Sequence, residues 1–150
     1  MPNTELAAKL FTDGCNCAQA AAAAFAEDFG LSQNDVVRMT AGFGGGMGGQ
    51  REQCGAVSAM VFMAGIAFGD YDPKDNAKKK ELYDLVKKMT AEFREAYGTV
   101  NCRELLAKAA IFPKPDPSER TAEYYKARPC IRFVLQAAEI MKRNLLPLKK

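Results

Sequence analysis

The amino-acid sequence predicts an all-α protein, a single-domain bundle of about five main helices plus one or two short ones over residues 1–150. Apolar side chains recur at the three- and four-residue spacing of a helix in several separate segments. Capping residues precede these segments and glycines follow several of them, as at the two ends of helices. No stretch alternates polar and apolar residues for long enough to be read as a strand.

The first part of the chain predicts three helices. A short one covers Thr4–Phe11 and is followed by turn residues. A second begins at Cys17, with Asn16 as its cap, and ends at Gly30. Its many alanines would allow a neighbouring helix to approach closely. A third follows over Ser32–Thr40, where the serine is placed to cap the first turn.

A glycine-rich stretch comes next and leads directly to a cysteine. Six glycines lie between Gly42 and Gly49, and Cys54 follows them. Glycines at this density indicate backbone that turns sharply or approaches another group closely. The letters of Gly44–Gly49 match the dinucleotide-binding fingerprint, but no strand precedes them, so nucleotide binding is not expected. We expect a tight connector whose exposed N–H groups help to hold a thiolate or another anion.

Two long helices are predicted in the middle of the chain. Gln53–Phe68 is apolar on nearly every face and should be mostly buried, and Gly55 and Gly65 would let other helices pack tightly against it. Lys74–Tyr97 has a single apolar stripe with charged side chains elsewhere, and Gly98 ends it.

The last part of the chain predicts three more segments of structure around a connector. A short helix runs from Cys102 to about Ile111. Phe112–Ser118 has prolines at alternate positions, which predicts an extended and fairly stiff connector. A further short helix is expected within Ser118–Lys126, and the final helix opens at Cys130 after a proline.

Composition excludes several classes of function. The chain has no histidine, which removes Ser-His triads, Cys-His pairs, and histidine-ligated zinc or haem. Its longest apolar run, Cys54–Phe68, is shorter than the roughly 20 residues of a membrane span, and the first residues do not resemble a secretory signal. We therefore expect a soluble, cytoplasmic protein. The net charge of +3 comes from basic and acidic residues that are interspersed, so no nucleic-acid partner is expected.

Cysteine is the residue that can carry chemistry in this chain. There are five cysteines, and an odd number without a signal peptide argues against a secreted disulfide framework. Four of them fall in the first turn of a predicted helix, and arginines lie within three residues of three of the four. The helix dipole and the arginines both favour thiolate over thiol. These four candidate site residues are Cys17, Cys54, Cys102 and Cys130.

We expect the four thiols to meet in one polar pocket built from the amino ends of helices. The fifth cysteine, Cys15, lies one residue before Cys17. It could form a strained disulfide with that neighbour, place a second thiol on the same rim, or be incidental.

Five segments carry a resemblance to a known family. They are NCAQA at Asn16–Ala20, GFGGGMGG at Gly42–Gly49, CGAVSA at Cys54–Ala59, NCRELL at Asn101–Leu106 and PCIRFV at Pro129–Val134. In order and spacing they resemble the small C_GCAxxG_C_C proteins, which are described as redox-active. The resemblance covers nearly the whole chain. It implies a redox function without naming a substrate or an electron partner, and its four cysteines would correspond to Cys17, Cys54, Cys102 and Cys130.

Two details depart from the pattern of that family. Its central element reads Gly-Cys-Ala, whereas this chain has Cys54-Gly55-Ala56. Ala59 also stands where the element ends in glycine. The added methyl group would slightly limit the approach of another helix, but it removes no thiol.

Three hypotheses follow from the sequence. In the first, the protein exchanges thiols and disulfides: Cys54, activated by its helix start and by Arg51, attacks or is attacked, and one of the other three cysteines resolves the intermediate. In the second, Cys17, Cys54, Cys102 and Cys130 bind zinc or an iron–sulfur cluster for electron transfer or sensing. In the third, the chain is a helical interaction module with structural cysteines, and the stripes of Lys74–Tyr97 and Ile131–Met141 could bury the seam of a homodimer as easily as a domain core.

Overall fold

The computed structural model describes residues 1–114 and 116–150, and the predicted all-α class is confirmed for them. One isolated bridge is the only extended pairing within these ranges. The helical segments are α1 Asn3–Thr12, α2 Cys17–Ala23, α3 Gln33–Thr40, α4 Gly44–Met47, α5 Gly55–Phe68, α6 Asn76–Tyr97, α7 Cys102–Ala107, α8 Ala122–Ala127 and α9 Cys130–Asn144. Segment α4 is a single turn interrupted by two glycines with positive φ. The described residues therefore contain eight regular α-helices, more than the six or seven expected.

The second helix is shorter than predicted. It ends at Ala23 rather than at Gly30, and the chain continues through tight turns into a 3₁₀ turn over Glu27–Phe29. The N–H groups of Phe25 and Ala26 bond to carbonyls three residues back, which tightens the backbone at this point. Both of these side chains are fully buried. The helix propensity of an alanine run is a weak preference, and packing overrides it here.

Helix α2 lies at the centre of the molecule and contacts α1, α3, α5 and α9. Its alanines from Ala20 to Ala23 are at most 1% exposed. Because a methyl group is so small, four helix surfaces can approach one short helix from different sides. The predicted close approach by a neighbouring helix is thus observed, and it places the amino end of α2 where several other helices begin.

The two amphipathic stripes pack into the core of this chain itself. On α6, Met89 and Phe93 are at most 1% exposed. On α9, Val134, Ala138 and Met141 are fully buried. Helices α6 and α9 contact one another, and both belong to one continuous apolar core. The apolar surface proposed above as a dimer seam is therefore largely covered within one chain.

Helix α5 is the most apolar element, and it packs against α2, α6 and α9. Gly55 at its start is buried. Gly65 is exposed, and a Cβ atom placed on it would meet no other atom within 4 Å, so the expectation that Gly65 allows tight packing is wrong. None of the described helices combines the length and the apolar character that crossing a bilayer requires.

The proline-rich connector was predicted to be extended over Phe112–Ser118. Pro115, which belongs to this predicted connector, lies outside the described residues. Phe112 is 78% exposed. Helix α8 begins only at Ala122, where Thr121 caps it by accepting a hydrogen bond from the Tyr124 N–H.

Candidate functional site

Four cysteines from four helix starts line one small cavity. They are Cys17, Cys54, Cys102 and Cys130. The rest of the wall consists of Gly55, Leu105, Leu106 and Phe133. The cavity has a volume of about 20 Å³, which is room for about one water molecule. The expectation of a polar pocket is wrong for this inner space, because its side-chain wall is hydrocarbon and sulfur.

Each cysteine owes its position to the start of a helix. Cys17, Cys102 and Cys130 are the first residues of α2, α7 and α9, and Cys54 is the cap residue of α5. The predicted caps are present: Asn16 forms a capping box with Gln19, and the Asn101 side chain accepts a hydrogen bond from the N–H of Glu104. These caps satisfy first-turn N–H groups that would otherwise lack partners.

A short antiparallel contact places Cys54 beside Cys102. Gln53 pairs with Asn101 as an isolated bridge. The Cys54 N–H donates to the Val100 carbonyl over 2.8 Å, and the Cys102 N–H donates to the Glu52 carbonyl. Successive side chains alternate across such a pairing, so the two cysteines lie on the same face. Two cysteines from distant parts of the chain are thereby directed into the same cavity.

Two glycines allow the cysteines to approach this closely. A Cβ atom on Gly55 would collide with the Cys17 sulfur. A Cβ atom on Gly46 would lie 2.7 Å from the Cβ of Cys102, and Gly46 also has a φ of 65°. Within the glycine-rich stretch, Gly46 thus makes a tight connector, as predicted, where the chain comes close both to Cys102 and to the backbone of Arg51 and Glu52.

Some N–H groups of this stretch are already used within it. The N–H groups of Gly48 and Gly49 donate to the carbonyls of Gly42 and Gly44. The N–H of Gly45 is directed at the Cys17 sulfur and lowers the pKa of that thiol, against the effect of burial. One N–H of the stretch therefore favours the thiolate form of Cys17, although burial outweighs it, and Gly48 and Gly49 do not offer their N–H groups to a ligand.

A larger cleft of about 500 Å³ opens beside the cavity. Cys17, Cys102 and Cys130 line both spaces, whereas Cys54 lines only the inner cavity and is 4% exposed. One wall of the cleft is formed by the glycine-rich stretch. The lining also includes Pro117, Ser118, Arg120, Tyr124 and Arg128.

Arg51 contacts a different cysteine from the one that its sequence position suggested. Its Nη1 lies 3.9 Å from the Cys102 sulfur, and its Nη2 donates to the Lys114 carbonyl over 3.1 Å. Its charge is not among the influences on Cys54, so the expected activation of Cys54 by Arg51 is wrong. The φ of Arg51 is 61°, a left-handed conformation that turns the chain back toward α7.

Two further arginines that line the cleft, Arg120 and Arg128, were not predicted as site residues from the sequence. Arg120 lies 4.8 Å from the ring centres of Phe11 and Tyr124, and it donates to the Cys15 carbonyl over 3.1 Å. Arg128 lies 4.8 Å from the Tyr124 ring centre. Arg120, Tyr124 and Arg128 are spaced at four-residue intervals, which is the available sequence signal for this stacked group; in the structure Tyr124 lies within α8, Arg120 precedes its cap Thr121, and Arg128 caps its end.

Burial raises the pKa of three thiols, whereas the helix starts and the nearby arginines led us to expect that the thiolate form would be favoured. Burial raises the pKa of Cys17, raises that of Cys54 well above its usual range, and raises that of Cys130 to about 12. The N–H groups of Ala56 and Val57 oppose the shift at Cys54 without making a full capping hydrogen bond. Desolvation therefore outweighs the helix ends, and these three thiols are protonated at neutral pH.

Cys15 lies apart from the other four. It lines neither space, although it is half-buried and packs against the apolar core. Burial raises the pKa of its thiol, Arg120 lowers it and Asp13 raises it. The structure therefore does not bring Cys15 to the rim of the site.

The geometry offers no ready metal centre. All five cysteines are free thiols. Within the part of the chain that the structure describes, no group of three or more cysteine, aspartate or glutamate side chains is arranged to hold a metal ion. The four cysteines share a cavity, but their sulfurs do not form a ligand set there.

The family described as "Putative redox-active protein (C_GCAxxG_C_C)" matches residues 15–144. Comparison with curated proteins and with solved structures finds no match to this chain.

Proposed function

The chain belongs to the C_GCAxxG_C_C family, and from that premise we propose that it is redox-active and exchanges thiols and disulfides through its four clustered cysteines. One observation carries the proposal. Cys17, Cys54, Cys102 and Cys130 line the same small cavity, although they are distributed over most of the chain. Thiols gathered in this way can pass a disulfide from one to another.

Cys102 is the proposed attacking residue. It lines the cleft through which a substrate would enter, and the Arg51 guanidinium lies 3.9 Å from its sulfur. A thiolate at this position would accept a charge-assisted hydrogen bond from the guanidinium. Cys54, which the sequence favoured for this role, is 4% exposed and does not line the cleft. We therefore propose that Cys54 acts after the first exchange.

Cys17 is the proposed resolving residue. After burial, repulsion from Cys102 is the largest contribution that raises the pKa of Cys17. Repulsion from Cys17 is in turn the second-largest contribution that raises the pKa of Cys54 and of Cys130. Cys17 also lines both the inner cavity and the cleft, as Cys102 does.

The exchange takes place in two balanced steps. The Cys102 thiol gives up its proton, and its thiolate attacks one sulfur of a small disulfide, forms a mixed disulfide, and releases the other half as a thiolate that takes up a proton. The Cys17 thiol then gives up its proton as its sulfur attacks the Cys102 sulfur; the protein disulfide forms, and the second half leaves as a thiolate that takes up that proton. The protein loses two electrons and two protons, and the small disulfide gains them.

Equilibration in a glutathione series tests this proposal. The protein is incubated at ratios from strongly reducing to mildly oxidising, quenched in acid, alkylated, and mapped by peptide mass spectrometry. We expect a disulfide between Cys17 and Cys102 that is lost in Cys17→Ser and Cys102→Ser. Cys15→Ser, outside both spaces, is the matched control and should behave as wild type.

Two results would contradict the proposal. The first is that no pair among the four cysteines changes state across the series. The second is a stoichiometric metal, found by elemental analysis together with a visible spectrum of anaerobically purified protein. Formation of a different pair among the four would keep the function and replace the assigned roles.

A further inference from the structure

We infer that the cleft beside the thiols selects anionic substrates, so that a small disulfide or thiol carrying a carboxylate is the class of molecule that exchanges with Cys102. This inference rests on the proposed function and adds a substrate class to it. It depends on the size of the cleft, on the charges that line it, and on one unpartnered donor atom.

The size of the cleft suits a small molecule. Its volume of about 500 Å³ falls within the range of ligand-binding clefts. Three of the four clustered thiols line it, so a molecule bound there would meet Cys102 without any opening of the core.

The charged side chains that line the described part of the cleft are all positive. Arg51, Arg120 and Arg128 line it, and its described lining residues include no aspartate or glutamate. In the described ranges, the ion pairs involve lysines and none of these three arginines. Three positive charges converge here without carboxylate partners, and such a cleft raises the local concentration of anions.

The three arginines differ in how fully they are already used. Arg120 donates to Phe11, Cys15 and Tyr125 and stacks on aromatic rings, so its role is to hold the wall. Arg128 has one hydrogen bond, to Ser118, and one ring contact.

Arg51 has an unsatisfied donor. Its Nε is buried and has no hydrogen-bond partner among the described residues. A buried N–H without a partner carries a desolvation cost that an acceptor would relieve. This atom is closed to solvent, so a substrate carboxylate could accept from it only if the Arg51 side chain turned toward the cleft; the Arg51 charge beside Cys102 would attract the carboxylate with or without that turn, and Arg128 would supply a second positive charge in the lining.

Two alkylating reagents of nearly equal size test the inference without any redox step. Iodoacetate carries a carboxylate, and iodoacetamide is neutral. Rates at each cysteine are measured by mass spectrometry in reduced protein at low ionic strength, and the ratio of the iodoacetate rate to the iodoacetamide rate is compared between Cys102 and Cys15. We expect the ratio to be about 10-fold higher or more at Cys102, and to fall when about 0.5 M salt is added, because salt screens the field.

Charge variants identify the source of the preference. Arg51→Gln and Arg128→Gln should each lower the ratio at Cys102 several-fold. Arg38→Gln, an exposed site on α3 that does not line the cleft, should leave it unchanged. Equal ratios at Cys102 and Cys15, or a ratio that does not respond to salt, would overturn the inference.

A disulfide series separates this inference from the proposed function. Wild-type protein is mixed with dithiodiglycolate, hydroxyethyl disulfide or cystamine, which are anionic, neutral and cationic. We expect oxidation to be fastest with the anion and slowest with the cation. Equal rates with all three would overturn anion selection while thiol exchange stands, and no reaction with any of them would overturn the exchange itself.

Discussion

The guanidinium of Arg51 lies 3.9 Å from the sulfur of Cys102, across 51 positions of the chain. The contact depends on a strained residue, since the φ of Arg51 is 61°. The Arg51 N–H donates to the Gly45 carbonyl over 2.9 Å, and its carbonyl accepts from the Arg103 N–H, which holds this conformation in place. Backbone strain of this kind costs about 1–3 kcal/mol and persists where surrounding contacts determine it, often at functional sites.

Removal of the Arg51 charge should slow the reaction of Cys102 with neutral iodoacetamide. We expect Arg51→Gln to lower that rate about three- to tenfold at neutral pH, because a charge-assisted hydrogen bond to the thiolate is lost and solvent screens part of its effect. The matched control is Arg103→Gln, which is adjacent to Cys102 in sequence but donates to the Gln50 carbonyl. An equal effect of both substitutions would contradict the specific pairing.

A methyl group at the start of α5 should be destabilising. In Gly55→Ala the new Cβ collides with the Cys17 sulfur, and overpacking of this kind typically costs about 1–3 kcal/mol. Gly65→Ala, in the same helix with open space around it, should be neutral or stabilising by up to about 1 kcal/mol. Urea unfolding of both variants measures the difference, and equal stabilities would show that Cys17 can move aside.

Alanine substitutions in the glycine-rich stretch should also differ in how much stability they cost. In Gly46→Ala the new Cβ lies 2.7 Å from the Cβ of Cys102, at a φ of 65° that alanine disfavours. We expect a loss of about 2–4 kcal/mol from the combined clash and strain. Gly42→Ala, which has no neighbour within 4 Å and no positive φ, should lose less than about 1 kcal/mol. A Gly46 variant as stable as the Gly42 variant would disprove the close approach to Cys102.

Alkaline pH should destabilise the fold through its buried thiols. Burial raises the pKa of Cys54 well above the usual value and that of Cys130 to about 12, whereas unfolded cysteine ionises at about 9. Below the pKa of the unfolded chain these thiols are protonated in both states, and their contribution to the free energy of unfolding is fully present. As the pH rises from about 9 to about 12, the unfolded chain releases these protons more readily than the folded chain, so the free energy of unfolding falls.

Cys130→Ala isolates the contribution of one thiol. Burial also raises the pKa of Tyr97 and Tyr124, so the wild-type loss at high pH has more than one source. In reductant, the urea midpoint should fall less steeply in Cys130→Ala than in wild type between about pH 8 and 11. Parallel curves would mean that the Cys130 thiol ionises as freely in the folded chain as in the unfolded one.

Arg120 should hold the short helix α8 in place. Arg120→Gln removes the stacking on Phe11, Tyr124 and Tyr125 together with hydrogen bonds across the chain. We expect chymotrypsin to cleave within α8 about tenfold faster or more, because the energy of local opening falls by at least about 1.4 kcal/mol. Lys126→Gln, an exposed site on the same helix, should be cleaved at the wild-type rate. Unchanged cleavage of the Arg120 variant would show that other contacts anchor α8.

Local features of the fold were predictable from the sequence. Asn16, Ser32 and Asn101 are caps in the structure as expected. A cap needs only a side chain and an N–H group three residues away, so its energetics lie within one short segment. The end of α2 at Ala23 was not predictable in this way, because the buried residues that follow it depend on contacts with other helices.

Some features of the candidate site were likewise predictable from the sequence, and others were not. The sequence identified the four cysteines that share the cavity, because each one starts or caps a helix. It assigned Arg51 to Cys54, three positions away, since nearness along the chain was the only distance available. The observed partner, Cys102, is brought close by the bridge between Gln53 and Asn101.

By itself, the sequence determined the all-α class, the caps at Asn16, Ser32 and Asn101, and the set of cysteines, since apolar periodicity and helix ends are properties of neighbouring residues. Tertiary structure alone decided which charge faces which thiol, and that Cys54 is enclosed while Cys102 lines a cleft of arginines. It also decided the resting protonation of Cys17, Cys54 and Cys130. Loss of solvent around a thiol depends on every element that covers it, and here that effect exceeds the influence of the helix end on which the thiol sits.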